Sequence, residues 1–156
     1  MFEKLSLITA FLLILLMLSC AQTVQEKEQR AQWVPLKDYE AKNQDEEAIA
    51  GVLQSLSDGW AKKDKKPILS SCHVDAQFMD KAGKYVSKDK MIVQKVGDWG
   101  PPTKAWFGYY DLNIKIDGDL ANVDCTEMRG YGPYKAKFIM IKNKQEWQVL
   151  KYNWQP

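Results

Sequence analysis

The sequence predicts an α+β domain in which N-terminal helices pack on an antiparallel sheet. Within residues 105–118, Leu112, Ile114 and Ile116 alternate with polar side chains, and the segment ends in an Asp-Gly dipeptide, which is typical of a β-hairpin turn. Three further strands follow, separated by reversals at residues 129–133 and 143–146. Before them, residues 45–60 repeat apolar side chains at spacings of three and four, which indicates an amphipathic helix. A sheet of such long strands needs a cover on its apolar face.

The helical segment has a clear start and one apolar stripe. Asp45 and the two glutamates after it occupy the first turn, where acidic side chains complement the helix dipole. The stripe contains Ile49, Leu53, Leu56 and Trp60. It is expected to face the sheet.

Shorter elements connect this helix to the long strands. A second, short helix is expected around Pro67, and a short strand over residues 75–80. Ser87 is the predicted N-cap of a third helix, whose buried face begins at Met91 and Ile92. The loop after that helix contains Trp99, which is well placed to form the rim of a pocket.

The N-terminus has the layout of a secretory signal. Lys4 precedes an apolar run over residues 5–18 that is too short for a stable membrane helix. Residues 17–20 resemble a bacterial lipobox, in which Cys20 becomes lipid-modified and begins the mature chain. An ordinary signal peptide, with Cys20 incidental, is the alternative.

These features predict three segments. Residues 1–19 are the lipoprotein signal peptide, residues 20–43 the lipidated cysteine and a flexible tether, and residues 44–156 the folded domain. The protein is expected at the bacterial cell envelope, anchored to membrane lipid through Cys20 and facing away from the cytoplasm. Because Ala21 is not aspartate, a Gram-negative cell would place it in the outer membrane. An apolar patch at residues 33–36 could dock on the domain or on a partner.

Composition excludes several classes of function. Lys and Arg number 22 against 20 Asp and Glu, a balance of +2 that argues against a nucleic-acid partner. Six tryptophans indicate an aromatic-lined interior or interface. No glycine-rich phosphate loop or serine nucleophile elbow is present, so no cofactor is expected.

The cysteines and the single histidine do not form a metal site. Cys72 and Cys125 lie in apolar surroundings and are expected to be buried free thiols, with a disulfide as the alternative. His73 is expected in a loop. One histidine and two cysteines are too few for a four-ligand zinc site.

The whole domain resembles the NTF2-like superfamily, and its SnoaL-like members in particular. The resemblance rests on five phrases in order, EEAIAGVL, GWAKKD, HVDAQFMDKAG, DGDLANV and EWQVLKYNW. It implies a cone in which a curved antiparallel sheet wraps around the helices. The fold hosts many functions, so function must be argued from the site.

One branch, the ketosteroid isomerases, can be tested residue by residue. Asp80 falls where those enzymes keep a proton-shuttling aspartate. Their enolate is stabilised by a helix-borne tyrosine and a protonated aspartate on a later strand. Here the helix position is Leu56, and the strand over residues 135–142 has no carboxyl group. Without an oxyanion hole, Asp80 is no evidence for that activity.

Three functions remain. The first is a non-catalytic domain that binds a small, largely apolar ligand in a concave pocket. The second is an interaction or homodimerisation module. The third is a SnoaL-like isomerase or hydrolase that uses Asp80 as general base. The predicted ligand-binding residues are Phe78, Asp80, Trp99, Tyr109 and Glu127.

Asp80 also has a purely structural interpretation. Asp80 and Gly83 occupy the first and last positions of a common type I turn, and that turn alone accounts for the aspartate.

Overall fold

The computed structural model describes residues 33–97, 107–129 and 132–155, with no account of the side chains of residues 94–97. Residues 34–156 form one compact unit, and the following description concerns that unit. The predicted signal peptide, Cys20 and Trp99 lie outside the described residues. Among the described helices, none has both the length and the apolar character that a membrane span requires.

The described elements are three α-helices and six strands. The helices are α1 (Gln44–Lys62), α2 (Lys65–Ser70) and α3 (Lys88–Gly97), and a 3₁₀ turn at Leu36–Asp38 precedes them. The strands are β1 (Cys72–Met79), β2 (Tyr85–Ser87), β3 (Gly108–Asp117), β4 (Leu120–Arg129), β5 (Gly132–Asn143) and β6 (Glu146–Gln155).

All six strands form one mixed sheet in the order β2-β1-β6-β5-β4-β3. The meander from β3 to β6 is antiparallel, as its hairpin signals predict. β1 adds to β6 in parallel, and β2 pairs antiparallel with β1 at the edge. The sheet is not closed, and the helices pack on it, which confirms the predicted α+β class.

Two hairpin turns show how the meander reverses. Gly118 has φ 58°, a conformation that glycine adopts without steric cost. Lys144 and Gln145 have φ 49° and 73° in the β5–β6 turn. Positive φ at both central residues is what a type I′ hairpin turn requires, and here it is met without glycine.

α1 covers the sheet through the predicted stripe. The Asn43 side chain accepts a hydrogen bond from Glu46 N at 2.9 Å and caps the first turn. Ile49, Leu53 and Leu56 are completely buried. Trp60, at the end of the stripe, is only half-buried although it packs against the core.

The core lies between α1 and one face of the sheet. Its centre is a row of apolar side chains that crosses four strands in register. Phe78 on β1 pairs with Tyr152 on β6, which pairs with Phe138 on β5 and then Val123 on β4. The Phe138 and Tyr152 rings are 4.8 Å apart between centroids. This row fixes the register of the sheet because a slip by one residue would turn it to solvent.

The chain segment before α1 docks on the domain. Val34 N donates to Asp111 Oδ1 at 2.9 Å, and Asp111 N donates to Val34 O at 2.9 Å. Leu36 is buried in the core. The backbone of Val34 and the side chain of Leu36 therefore attach this part of the patch to its own domain, while Val34 stays 49% exposed.

The structure tests two expectations, the position of His73 and the state of the two cysteines. The loop prediction for His73 was wrong, because β1 begins at Cys72, three residues earlier than predicted. The alternation of apolar and polar residues in fact runs unbroken from Cys72 to Phe78, and it could have predicted the earlier start. Cys72 and Cys125 are buried free thiols, as expected. Burial raises the pKa of Cys72 to about 12.

Candidate functional site

A buried charged cluster lies where β4 ends, on the helix-covered face of the sheet. Glu127 has no solvent exposure. Its Oε1 accepts a hydrogen bond from Arg129 Nε, and its Oε2 accepts one from the Tyr152 hydroxyl. Arg129 Nη2 in turn donates to the Tyr152 hydroxyl at 2.5 Å. The three side chains form a closed ring of hydrogen bonds.

Strand alternation and register bring these residues together. Glu127 and Arg129 are two residues apart on β4, so their side chains lie on the same face. Glu127 is directly opposite Tyr109 on β3 and Tyr134 on β5. Tyr152 reaches the cluster from β6, two strands away from β4.

Two aromatic rings hold the guanidinium. Its central carbon lies 4.6 Å from the centroid of the Trp154 ring and 5.4 Å from that of Tyr134. These are distances at which a cation is attracted to an aromatic face. The two rings meet edge to face at 5.6 Å, and Trp154 Nε1 donates to Met79 O at 3.2 Å. Arg129 is therefore held by hydrogen bonds on one side and aromatic rings on the other.

Tyr109 completes the buried end of the cluster. Its ring packs edge to face on Phe138 at 5.2 Å and on Phe107 at 5.5 Å. Desolvation, followed by the charge of Glu127, raises its pKa well above the ordinary value. The same two causes raise the pKa of Tyr152. Both phenols therefore stay protonated at neutral pH.

The charge of Arg129 persists despite burial. Desolvation opposes its charged form, but Tyr152 and Glu127 outweigh that effect, so its pKa is raised. Taking both charges out of water is expensive, and an apolar pair of equal size would often be as stable. A buried charged pair is therefore weak evidence for stability and reasonable evidence for a functional site.

The structure brings together some of the predicted ligand-binding residues. Tyr109 and Glu127 lie side by side in the cluster. Phe78 is buried next to it, with its ring 5.5 Å from that of Tyr152. Asp80 is engaged in its own turn, where Oδ1 accepts hydrogen bonds from Ala82 N and Lys84 N, both at 2.9 Å. Trp99 lies outside the described residues.

The sequence patterns do not point to the rest of the cluster, namely Arg129, Tyr134, Tyr152 and Trp154. Arg129 begins a segment with two glycines and a proline, a composition that predicts a turn. In the structure it is the last residue of β4. The signal that could have found it is its spacing of two from Glu127, which places the two opposite charges on one face.

A concave region separate from the cluster lies beside α1. It is a groove of about 390 Å³ between α1 and the β5–β6 turn. Small and polar residues of α1, including Gly51 and Ser55, line one wall, and Gln145 to Gln148 line the other. Among its lining residues, Glu146 is the only charged one, so we favour the Arg129 cluster as the candidate site.

Comparisons with known proteins identify the fold. No protein-family model matches the chain. No curated protein matches it in sequence. Among solved structures, an NTF2-like protein of unknown function from Shewanella baltica is 18% identical over 76% of this chain and 99% of its own, with a TM-score of 0.58. An NTF2-like protein from Cytophaga hutchinsonii is 16% identical over 72% and 98%, with a TM-score of 0.59.

A third similar structure is an association domain. The association domain of C. elegans CaMKII is 14% identical over 72% of this chain and 95% of its own, with a TM-score of 0.62. Identities this low establish the fold and nothing finer. The chain therefore has the NTF2-like α+β cone fold that its sequence resembles.

Proposed function

We propose that this domain binds a small, largely apolar ligand at the Arg129 cluster and does not catalyse a reaction. The observation that carries the proposal is a charged pair packed among aromatic rings beside the apolar core. Apolar walls with a few convergent polar groups are the usual composition of a ligand site.

The protonation states in the cluster favour binding over proton transfer. Both oxygens of Glu127 accept hydrogen bonds within the cluster, and the side chain has no solvent exposure, so neither oxygen is open to a substrate proton. Tyr109 and Tyr152 have raised pKa values and are poor bases at neutral pH. A general base works best when its pKa lies near the operating pH.

Asp80 does not support the alternative of a SnoaL-like enzyme. A general base must be within hydrogen-bond reach of a substrate proton. The carboxylate of Asp80 instead accepts from two backbone amides of the β1–β2 turn. The binding proposal therefore makes no use of Asp80.

NMR titration with a neutral aromatic probe tests the proposed site. We expect 2-acetylnaphthalene to shift the indole N–H signal of Trp154, which lies against Arg129. Trp147, at the other end of β6, is an internal control because its Nε1 donates to Asp45 Oδ1 at 2.9 Å, outside the cluster. Equal shifts of both indoles, or none, would contradict the proposal.

We propose, in addition, that Cys20 anchors the domain to the envelope membrane. The support is the lipobox-like sequence at residues 17–20 and the polar segment that follows it. Cys20→Ser is expected to release the protein from the membrane fraction without changing the circular dichroism of the domain. Continued membrane attachment of the variant would refute the anchor.

Self-association is a second candidate function. The likeness to an association domain favours it, and so does an apolar pair on the outer face of the sheet. There Leu120, 46% exposed, lies opposite Ile141. Sedimentation velocity tests it: a dimer that Leu120→Lys dissociates, while the outer-face change Lys137→Gln does not, would support association through this face. A monomeric wild-type protein would exclude it.

A further inference from the structure

We propose that Arg129 is the polar anchor of the ligand and that it selects an uncharged hydrogen-bond acceptor, of the carbonyl class, over a carboxylate. This inference rests on the proposed function, because it specifies the chemistry of a ligand bound at the same cluster. It assigns Glu127 a role in selectivity, that of neutralising the arginine.

Arg129 has donors left over. A guanidinium carries five N–H groups, and the cluster uses the one on Nε and one on Nη2. Within the described part of the chain, the remaining three meet no acceptor. The Arg129 side chain keeps 20% of its surface exposed, whereas Glu127 keeps none. Arg129 is thus the one member of the charged pair that a ligand can contact.

The charge of Arg129 is already balanced. Glu127, whose side chain has no solvent exposure, places its carboxylate directly against Arg129 Nε. A ligand carboxylate would add a second negative charge to this neutral pair, and its desolvation would not be offset. A carbonyl oxygen can accept one or two of the remaining N–H groups without that penalty. The pair therefore favours a neutral acceptor.

The anchor is also fixed before the ligand arrives. Trp154 and Tyr134 pack against the guanidinium, and Tyr152 holds Nη2. An arginine that has already lost its rotamer freedom binds an acceptor with little further entropy cost. Apolar groups of a ligand would then meet the same aromatic side chains.

Three matched probes test the selectivity: naphthalene, 2-acetylnaphthalene and 2-naphthoate. Their affinities are read from the Trp154 indole signal of the full chain. We expect the ketone to bind at least about tenfold more tightly than the carboxylate, and more tightly than the hydrocarbon. If the carboxylate binds as tightly as the ketone, the selectivity is refuted but the ligand site stands. If no probe shifts Trp154, both proposals fail.

Variants separate the roles of the two charged residues. Arg129→Met should abolish the preference for the ketone over naphthalene. Glu127→Gln should narrow the preference for ketone over carboxylate by about tenfold, because the arginine then carries an unbalanced charge. Lys137→Gln removes an exposed charge elsewhere on the same sheet and should leave both preferences unchanged. If Glu127→Gln does not fold, the affinities of the three probes for the wild-type protein still test the selectivity.

Discussion

Arg129 and Glu127 lie two residues apart on β4, and the arginine Nε donates to a carboxylate that has no contact with solvent. Among the residues that the structure describes, neither charge has a substitute partner of opposite sign. Within that part of the chain, the other hydrogen-bonding and ring contacts of the pair are the Tyr152 hydroxyl and aromatic rings. The two residues should therefore behave as a unit when either is changed.

Substitution of one partner is expected to cost more than substitution of both. Arg129→Met leaves the Glu127 charge buried and uncompensated, so the free energy of unfolding should fall by about 3–5 kcal/mol. The double variant Arg129→Met, Glu127→Gln removes that charge and should recover most of the loss. Urea denaturation of the two singles and the double measures this coupling. Additive losses would show that the pair is not coupled.

The buried phenols predict sensitivity to alkali. Tyr109 has a pKa well above its ordinary value in the folded state, with desolvation as the main cause. Above about pH 10 the unfolded chain releases this proton while the folded chain retains it, so stability falls as pH rises. The thiol pKa values of Cys72 and Cys125 are also raised by burial and act in the same direction.

Tyr109→Phe removes the titrating hydroxyl and keeps the ring, so it should reduce the loss of stability above about pH 10. This loss is measured as the slope of the thermal midpoint against pH at several alkaline pH values. Tyr85→Phe removes an exposed hydroxyl on the edge strand β2 and gives the baseline. The prediction is wrong if Tyr109→Phe leaves the alkaline slope as steep as in the wild type.

The N-terminus of α1 is fastened to the sheet by Asp45. Its Oδ1 accepts hydrogen bonds from Lys142 Nζ at 2.7 Å and Trp147 Nε1 at 2.9 Å. The bond from Lys142, followed by that from Trp147, lowers the pKa of Asp45. Stability from this carboxylate is therefore present above its ordinary pKa and is lost as pH falls through the lowered value.

Asp45→Asn is expected to lower the thermal midpoint at neutral pH, and the difference from the wild type should shrink in acid. Asp58→Asn is the matched control. Asp58 also has a lowered pKa, mainly because of its hydrogen bond with Lys62. Asp58 and Lys62 both belong to α1, so this bond does not join the helix to the sheet. A bond within one helix contributes less than one that joins two elements. Equal shifts of the thermal midpoint in the two variants would contradict the role of Asp45 in attaching α1 to the sheet.

Periodicity predicted the elements whose pattern is local. α1 appears where its stripe predicts it, and the Asp-Gly signal marks the β3–β4 turn. The parallel pairing of β1 with β6 has no local signal, because it joins residues more than seventy positions apart. Four of the six residues of the cluster were not predicted, for a related reason. Arg129 meets Tyr152 across a strand that lies between them, and only the register of the whole sheet brings the two together.

Asp80 shows how a local pattern can resemble a catalytic position. Its carboxylate Oδ1 accepts from Ala82 N and Lys84 N, and its own amide donates to Lys84 O at 2.8 Å. Gly83, with φ 74°, completes the turn. These bonds account for the aspartate without any ligand.

Two substitutions at Asp80 distinguish the turn from a ligand site. Asp80→Asn keeps an oxygen acceptor, so it should preserve both stability and the binding of 2-acetylnaphthalene. Asp80→Ala removes that acceptor and should lower the free energy of unfolding by about 1–2 kcal/mol, because two backbone amides lose their partner. Denaturation and the Trp154 titration are measured on both variants. An Asp80→Asn protein that unfolds like the wild type but no longer binds the probe would move Asp80 from the turn into the ligand site.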